Sequence, residues 1–329
     1  MGVCPWFRVR AYWRSMNELL PFRLEPYFRT RIWGFNDLSP WYDYKTDGEP
    51  IGEVWLTGEM CTAATGPLAG LSLTNITKKL GRGLLGTAYG DGEFPLLIKL
   101  LFPKEKLSVQ VHPDDAMAQK YGEPRGKTEC WYALDAEPGA EVALGIHPGV
   151  TPAQIRKAIE DATLEDLLEM IPVNKGDMLF VDAGTVHAMG PGVVILETQQ
   201  TSDRTYRMYD YGRPRELHID KSLEAMRVKT RAGKIPPHAE NGHTVLIDET
   251  YFKIERWDVP AGDTGRLAEK NGKVQMFFVE DGAIRISAEG GDSFTVGRCQ
   301  LAVVPAEATG VRIEAESPAA VVRIFPNAV

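Results

Sequence analysis

The sequence predicts a mainly β protein built from two barrel or jelly-roll units, with a small helical insertion in the first. Three observations support this fold class. Short apolar segments recur along most of the 329 residues and are separated by turns rich in Gly, Pro and Asp. One stretch, residues 151–171, instead carries apolar residues at helical spacing. A polar, turn-rich stretch at residues 229–242 divides the strand-like segments into two sets and marks a linker.

The first set of predicted strands is typical of antiparallel β-structure, because its apolar segments are short and end at turn-forming residues. The segments are 51–56, 94–101, 107–111, 129–134, 140–146, 178–181, 193–197 and 205–209.

The helical insertion begins at Thr151. Thr151 and Gln154 fit a capping box, in which two side chains bind the free backbone amides at a helix start, and Pro152 occupies the first helical position. Apolar residues follow at helical spacing. Thr163 begins a second predicted short helix, which ends near residue 171.

The second set of strands indicates a second β-barrel or sandwich, because its segments are evenly spaced and joined by Gly and Asp turns. The segments are 244–247, 252–259, 274–279, 283–287, 293–296, 300–304, 311–315 and 320–324. Two such units joined by a linker form the double cupin architecture.

We therefore expect a metal-bearing cupin domain over residues 16–235 and a cupin-like β domain over residues 236–329. The second domain is expected to lack a metal site, because His238 and His243 lie at the linker and no histidine follows them. Residues 1–15 are expected to be an N-terminal extension, with Met16 as the alternative start.

Composition excludes several classes of protein. With 37 basic and 45 acidic residues the net charge is -8, so the sequence lacks the excess of basic residues that is typical of proteins binding nucleic acid or an anionic membrane surface. No segment approaches the roughly 18 apolar residues of a membrane-spanning helix, and the N terminus lacks the apolar core of a signal peptide. The four cysteines are far apart and form no Cys-x-x-Cys pair. We expect a cytoplasmic monomer or homodimer that acts on a small molecule.

The strongest chemical signal is a set of metal donors. Gln110 and His112 are two residues apart in a predicted strand, so their side chains project from one face. Glu129 and His187, from other strands, can supply the third and fourth donors. Two imidazoles, one carboxylate and one amide oxygen suit a divalent ion and favour zinc. A single charged ligand leaves the site with a formal charge of about +1, so the metal stays electrophilic.

Several motifs occur in an order and spacing that chance would rarely produce. They are 31–34 (Arg-Ile-Trp-Gly), 51–55 (Ile-Gly-Glu-Val-Trp), 94–99, 107–115, 126–134, 183–189 and 197–207. In these motifs the chain resembles the type I phosphomannose isomerases, in their short bacterial form. The resemblance runs from about residue 22 to the C terminus. It implies zinc ligands at Gln110, His112, Glu129 and His187, and a catalytic arginine at Arg207.

The resemblance implies interconversion of mannose 6-phosphate and fructose 6-phosphate, in which a proton moves between C1 and C2 through an enediol or enediolate. A divalent cation can stabilise the negative charge that develops on the adjacent oxygens. The proton carrier stays open among Lys127, Glu197, Asp203 and a metal-bound water. Gln199, on the same face as Glu197, is a further possible sugar contact.

Three other residues complete the predicted site. The Arg207 guanidinium can stabilise the enediolate, whereas an isolated arginine would form a rim salt bridge with Asp203 or Asp210. Lys99 and Ser108 flank the metal-bearing strand and are candidates for contacting the substrate phosphate. A solvated Lys99 is the alternative to that role.

Two other functions use the same fold. A cupin dioxygenase would bind iron through two histidines and one carboxylate, with two positions left open. Gln110 as a fourth ligand and Arg207 argue against it. A non-catalytic regulator that binds sugar phosphates predicts loss of a ligand or of the arginine, and the sequence shows neither loss.

Overall fold

The structure is a computed structural model that describes residues 19–262 and 269–327. The N-terminal extension expected over residues 1–15 lies outside the described residues. In chain order the strands are β1 (Phe22–Leu24), β2 (Tyr27–Phe35), β3 (Ile51–Trp55), β4 (Leu96–Leu101), β5 (Val109–Val111), β6 (Glu129–Ala136), β7 (Glu141–Ile146), β8 (Leu168–Pro172), β9 (Met178–Val181), β10 (His187–Met189), β11 (Val193–Gln200), β12 (Tyr206–Tyr209), β13 (Gly233–Ile235), β14 (His238–Glu240), β15 (His243–Asp248), β16 (Phe252–Val259), β17 (Gln275–Asp281), β18 (Ala283–Ser287), β19 (Phe294–Gly297), β20 (Leu301–Val304), β21 (Arg312–Ala315) and β22 (Ala319–Pro326).

Within the described residues the helices are short. They are Leu73–Leu80, Arg82–Leu85, Asp115–Lys120, Pro152–Glu160 and Ile219–Ala225, with a 3-10 helix at Leu164–Leu167. The mainly β class predicted from the sequence is confirmed. Within residues 19–262 and 269–327, no helix has the length and apolar character needed to cross a membrane.

The chain forms two compact units. The central unit comprises Phe28–Trp55 and Leu97–Pro236, and the terminal unit comprises Met1–Tyr27, Leu56–Leu96 and Pro237–Val329. These units are discontinuous, whereas the sequence predicts contiguous domains that meet at residues 235 and 236. The discontinuity follows from long-range pairing: β1 pairs with β20, which lies almost 280 residues further along the chain. No local pattern in the sequence indicates that pairing.

The central unit contains a seven-stranded sheet, in the order β13-β9-β6-β11-β4-β3-β2, and a five-stranded sheet, in the order β12-β5-β10-β7-β8. Apolar side chains from both sheets meet in one buried cluster. Trp33, Trp131 and Ile195 come from the larger sheet, and Val142 and Met189 from the smaller. The unit is therefore held together by a core between its two sheets.

A helical layer covers the other face of the five-stranded sheet. Val111 of β5 packs in a second buried cluster with Ile155 and Ile159 of the predicted insertion. The capping box is present, because the side chains of Thr151 and Gln154 bind each other's backbone amides. Alternate residues of a strand face opposite sides of the sheet. Because Val111 faces the helices, its neighbours Gln110 and His112 face the space between the two sheets.

Two local expectations are wrong. The second predicted helix is limited to the 3-10 helix Leu164–Leu167, because residues Leu168–Pro172 form β8 and pair with β7. The expected linker contains two short strands, β13 and β14, which pair with β9 and β15 respectively. His238 and His243 therefore lie on strands of the terminal unit. In both places, hydrogen bonds to a partner strand outweigh the local pattern.

The terminal unit also contains two sheets. The larger has the order β1-β20-β17-β22-β16-β15-β14, and the smaller has the order β19-β18-β21. Phe277, Val279 and Val321 of the larger sheet pack against Ile284 and Ile313 of the smaller.

Candidate functional site

The predicted donors of β5 lie in a row of side chains that crosses the five-stranded sheet. Gln110 lies directly opposite His187 of β10 on one side and Arg207 of β12 on the other. Residues opposite each other in an antiparallel pair project from the same face. The strand register therefore brings these three predicted site residues together, with His112 directly after the end of β5 and two residues beyond Gln110.

Glu129 of β6 faces this row from the seven-stranded sheet. Its Oε2 is 3.6 Å from His112 Nε2, and its Oε1 is 3.5 Å from His187 Nε2. The donor atoms of the three residues lie within 4.8 Å of one another, and all three residues are buried. Two imidazoles and a carboxylate at this separation can hold one divalent ion.

The hydrogen bonds of the two histidines orient them for metal binding. Nδ1 of His112 donates to the carbonyl oxygen of Arg204, and Nδ1 of His187 donates to that of Thr185, each at 2.9 Å. A carbonyl oxygen can only accept, so each Nδ1 carries the proton and each Nε2 keeps its lone pair. His187 Nε2 is buried and has no hydrogen-bond partner among the described residues. A metal ion would satisfy this nitrogen.

Burial also keeps both imidazoles neutral. It lowers the pKa of His187 to about 4 and holds the pKa of His112 well below its usual value of 6.5, where the Lys127 ammonium lowers it further. Neutral imidazoles are the form that binds metal.

A glycine places Lys127 beside the donors. A Cβ on Gly126 would lie 2.5 Å from the carbonyl carbon of Asp114 and 2.6 Å from the carbonyl oxygen of Pro113, so only glycine permits this approach. Lys127 Nζ then lies 2.6 Å from Glu129 Oε2 and 3.0 Å from His112 Nε2. The two-residue spacing predicts this common side for Lys127 and Glu129.

A second set of charged side chains comprises Lys99 of β4, Glu197 of β11 and Asp203, which follows β11 in the chain. Lys99 Nζ is 3.3 Å from Glu197 Oε2 and 3.5 Å from Asp203 Oδ1. Burial opposes the charged form of Lys99, but the nearby carboxylates outweigh it and raise its pKa. The solvated alternative for Lys99 is therefore wrong, because its side chain is only 4% exposed and is paired with two carboxylates.

The two carboxylates differ in basicity. Burial raises the pKa of Glu197, although the charges of Lys127 and Lys99 partly offset it. For Asp203 the balance is opposite, because attraction to Lys99 and Arg29 outweighs burial and lowers its pKa. Glu197 is therefore the stronger base of the pair.

Arg207 has an uncompensated guanidinium. Its Nη1 donates to the carbonyl oxygen of Glu216 at 2.8 Å, and its Nε is buried without a hydrogen-bond partner in the part of the chain that the structure describes. The rim salt bridge that the sequence leaves open is not formed with either carboxylate. Asp203 pairs with other cations, and Asp210 pairs with two other arginines. The charge of Arg207 is thus available to a ligand.

Ser108 is buried and lies two residues before Gln110. Gln199, directly opposite Glu129 in the β11–β6 pair, shares its face. Gln199 therefore lies on the face that carries the proposed donor Glu129.

The sequence analysis did not identify a role for Trp55 at the site. Trp55 is buried, and its indole also lies beneath the guanidinium of Arg29 at 4.4 Å and the ammonium of Lys99 at 5.2 Å. Its Nε1 donates to Glu53 Oε2 at 2.7 Å. The signal for this contact is Glu-x-Trp, which recurs at Glu129 and Trp131 with the same hydrogen bond, at 3.1 Å.

The terminal unit contains a related strand that the sequence analysis also missed. Residues 253–257 (Lys-Ile-Glu-Arg-Trp) repeat the Lys-x-Glu-x-Trp pattern of residues 127–131 (Lys-Thr-Glu-Cys-Trp). Trp257 Nε1 donates to Glu255 Oε2 at 3.2 Å, and His243 Nε2 lies 3.5 Å from Glu255 Oε1. Here Arg323 contacts the carboxylate, with Nη1 3.3 Å from Oε2. The same pattern thus forms a buried ion pair rather than a three-donor group.

This difference predicts that a substitution at Glu255 lowers the stability of the protein and leaves its metal content unchanged. Glu255→Gln leaves the buried Arg323 without its carboxylate, although Arg323 keeps its hydrogen bond to Gln275. We expect the free energy of unfolding to fall by about 3 kcal/mol, at the lower end of the cost of breaking a buried ion pair. Urea denaturation measures the fall, and metal content per chain should not change. An unaltered unfolding midpoint would show that this pair does not stabilise the unit.

Comparisons with known proteins agree with the geometry. Residues 21–139 match the family model for the catalytic domain of type I phosphomannose isomerase. The chain is 36% identical over 252 residues to the mannose-6-phosphate isomerase of Streptococcus mutans, which covers 73% of this chain and 79% of that protein. It is 37% identical over 254 residues to mannose-6-phosphate isomerase ManA of Bacillus subtilis, with the same coverage.

A solved structure extends the match to the fold. The crystal structure of the mannose 6-phosphate isomerase from Bacillus subtilis aligns with a TM-score of 0.82 and 31% identity, over 93% of this chain and 99% of that chain. The resemblance inferred from the sequence motifs is confirmed, and this chain belongs to the type I phosphomannose isomerase family.

Proposed function

We propose that this protein is a zinc-dependent mannose-6-phosphate isomerase of the cytoplasm, which interconverts mannose 6-phosphate and fructose 6-phosphate. The observation that carries the proposal is the buried group of His112, Glu129 and His187, which can hold a metal ion, in a chain whose relatives are named for this aldose–ketose isomerisation. Gln110, in register with His187, completes the proposed ligand set.

The proposed ligands fit zinc because they combine two neutral imidazoles with one carboxylate and one amide oxygen. When bound, the ion would act as a Lewis acid that stabilises negative charge on the oxygens of C1 and C2. The chain's own residues then have two tasks: to move a proton between these carbons and to hold the sugar phosphate in place.

Glu197 is our candidate for the proton carrier. It is buried, its pKa is raised, and it lies on the same sheet face as Glu129. Asp203 is the weaker base because neighbouring cations lower its pKa. Lys127 contacts two of the proposed metal donors, which suits it to orient substrate oxygens. Glu197 would take the C2 proton of the aldose and return it to C1 of the enediolate, while the hydroxyl proton of O2 passes to O1.

Arg207 would stabilise the enediolate, since its guanidinium is always charged, makes no ion pair with Asp203 or Asp210, and stands beside Gln110. We assign to Ser108 and Lys99 the contacts with the phosphate or hydroxyl oxygens of the substrate. Lys99 already pairs with Glu197 and Asp203, so it contributes mainly by holding the base in position.

The proposal is tested by following fructose 6-phosphate formation in a coupled assay. Protein stripped by a chelator should be inactive and should recover when one equivalent of zinc per chain is restored. Absence of turnover at full metal occupancy would exclude the isomerase function. Light scattering on the same sample would distinguish the two expected states, monomer and homodimer.

The pH profile should identify Glu197. Catalysis needs its ionised form, so kcat/KM should fall as the pH falls through its raised pKa, above the ordinary value of 4.5. Lys99→Met removes a positive charge 3.3 Å away, which raises that pKa further. The acidic limb should therefore move to higher pH in Lys99→Met and stay in place in Lys99→Arg. A limb that does not move would exclude Glu197 as the base.

A further inference from the structure

A short backbone segment controls one of the proposed metal ligands. Residues 201–205, here called the 201–205 segment, join β11 to β12 and contain no strand of their own. The carbonyl oxygen of Arg204 accepts the hydrogen bond from His112 Nδ1 at 2.9 Å. This bond determines that Nε2 of His112 faces Glu129. The position of the segment thus sets the orientation of the ligand.

The segment is anchored through Asp203. Arg29 Nη1, from β2, donates to Asp203 Oδ2 at 3.1 Å, and Lys99 Nζ lies 3.5 Å from Asp203 Oδ1. Arg29 and Asp203 are 174 residues apart in sequence. Lys99 is shared with Glu197, whereas Arg29 makes its ion pair with Asp203. Arg29 is therefore the cation dedicated to the segment.

Arg29 is held in place before it reaches Asp203. Its guanidinium stacks on the indole of Trp55, 4.4 Å from the ring centroid. The indole is fixed by the hydrogen bond from its Nε1 to Glu53, and Glu53 also accepts two hydrogen bonds from Arg31. A planar cation on a fixed ring loses little freedom when it binds a carboxylate, so this arrangement favours a defined position for Asp203.

We propose that Arg29 is a positioning residue of the metal centre: by clamping Asp203 from the face of Trp55, it holds the 201–205 segment where the Arg204 carbonyl orients His112. The inference rests on the proposed ligand role of His112. It gives a function to a half-exposed arginine that touches none of the three donors. Partners of a metal-bound histidine commonly affect metal affinity by about 10- to 100-fold, and Arg29 acts one contact further out.

The direct test measures zinc binding and does not depend on turnover. Purified Arg29→Gln should bind Zn²⁺ roughly tenfold more weakly than the wild type in competition with a chelating dye, at the low end of the range for outer partners. Arg29→Lys keeps the charge but loses the planar fork, so it should give an intermediate loss. Arg156→Gln removes an exposed ion pair with Asp220 and should bind zinc as the wild type does.

A double-variant cycle tests whether the effect passes through Asp203. If it does, Arg29→Gln combined with Asp203→Asn binds zinc no more weakly than Asp203→Asn alone. Nitrogen NMR of His112 should show the Nδ1 proton becoming less defined in Arg29→Gln. Thermal melts identify any variant that fails to fold. If Arg29→Gln fails to fold, the zinc affinity of Arg29→Lys is compared with that of the wild type instead.

Wild-type zinc affinity in both Arg29 variants, or losses that simply add in the double variant, would overturn the proposal. Failure of the isomerase function would appear differently, as absence of turnover in a zinc-loaded wild type whose Arg29 variants still bind zinc more weakly.

Discussion

The Glu129→Gln variant is expected to lose metal binding and, with it, almost all turnover. Glu129 is the one anionic donor of the proposed site, and it lies 3.6 and 3.5 Å from the Nε2 atoms of two neutral imidazoles. The substitution leaves only neutral donors around a divalent ion. We expect zinc affinity to fall by more than about 100-fold, because loss of an outer partner alone costs about 10- to 100-fold. Zinc content after dialysis and kcat/KM at limiting zinc measure the effect.

Glu255→Gln is the matched control, because it makes the same change in the same Lys-x-Glu-x-Trp pattern. The Trp257 Nε1 hydrogen bond to this side chain parallels the Trp131 bond to Glu129. The control should keep its zinc and its turnover below its melting temperature, while losing stability. If Glu129→Gln retains zinc with wild-type affinity, Glu129 is not a ligand and the proposed site is incorrect.

Arg207→Ala should lower kcat by roughly 100- to 1,000-fold, the cost of removing one group that stabilises charge in a transition state. The Arg207 side chain donates a hydrogen bond to the carbonyl oxygen of Glu216 and makes no ion pair with Asp203 or Asp210. Its removal therefore disturbs little of the fold but removes a positive charge beside Gln110. Zinc content should stay at that of the wild type. Steady-state kinetics and metal analysis on the same preparation test both expectations.

Arg207→Lys restores the charge without the planar fork and should recover part of the rate. Arg285→Ala, which removes an exposed arginine paired with Glu316 in the terminal unit, should match the wild type. Loss of zinc together with rate in Arg207→Ala would mean that Arg207 is structural and that its catalytic role is wrong.

Local sequence patterns predict some elements of the fold correctly and others incorrectly. Short apolar segments bounded by turn residues predict β9, β16 and β18 with their observed bounds, and the capping residues predict the start of helix Pro152–Glu160. The same reasoning extended a helix through Leu168–Pro172, where pairing with β7 makes a strand. It also placed β13 and β14 in a linker. Each error lies where a partner strand supplies the backbone hydrogen bonds, whether that strand is distant in sequence, as for β13, or adjacent, as for β14.

The site shows the same division. Two-residue spacing correctly put Gln110 with His112 and Lys127 with Glu129 on common faces, because side chains alternate along any strand. Whether Lys99 is solvated, and whether Arg207 pairs with a carboxylate, depends on which strands lie side by side. The structure buries Lys99 against Glu197 and places Arg207 opposite Gln110. Arg29 could not be found from sequence, because its partner is 174 residues away.

The sequence by itself determined the mainly β class, the family and the predicted donors, because these depend on residue type, order and short spacing. Only the tertiary structure decided how the donors are oriented, which cations are compensated, and which Lys-x-Glu-x-Trp strand forms a three-donor group. These properties arise between strands, because strand pairing and packing decide whether the side chains that face a buried carboxylate are two histidines or an arginine.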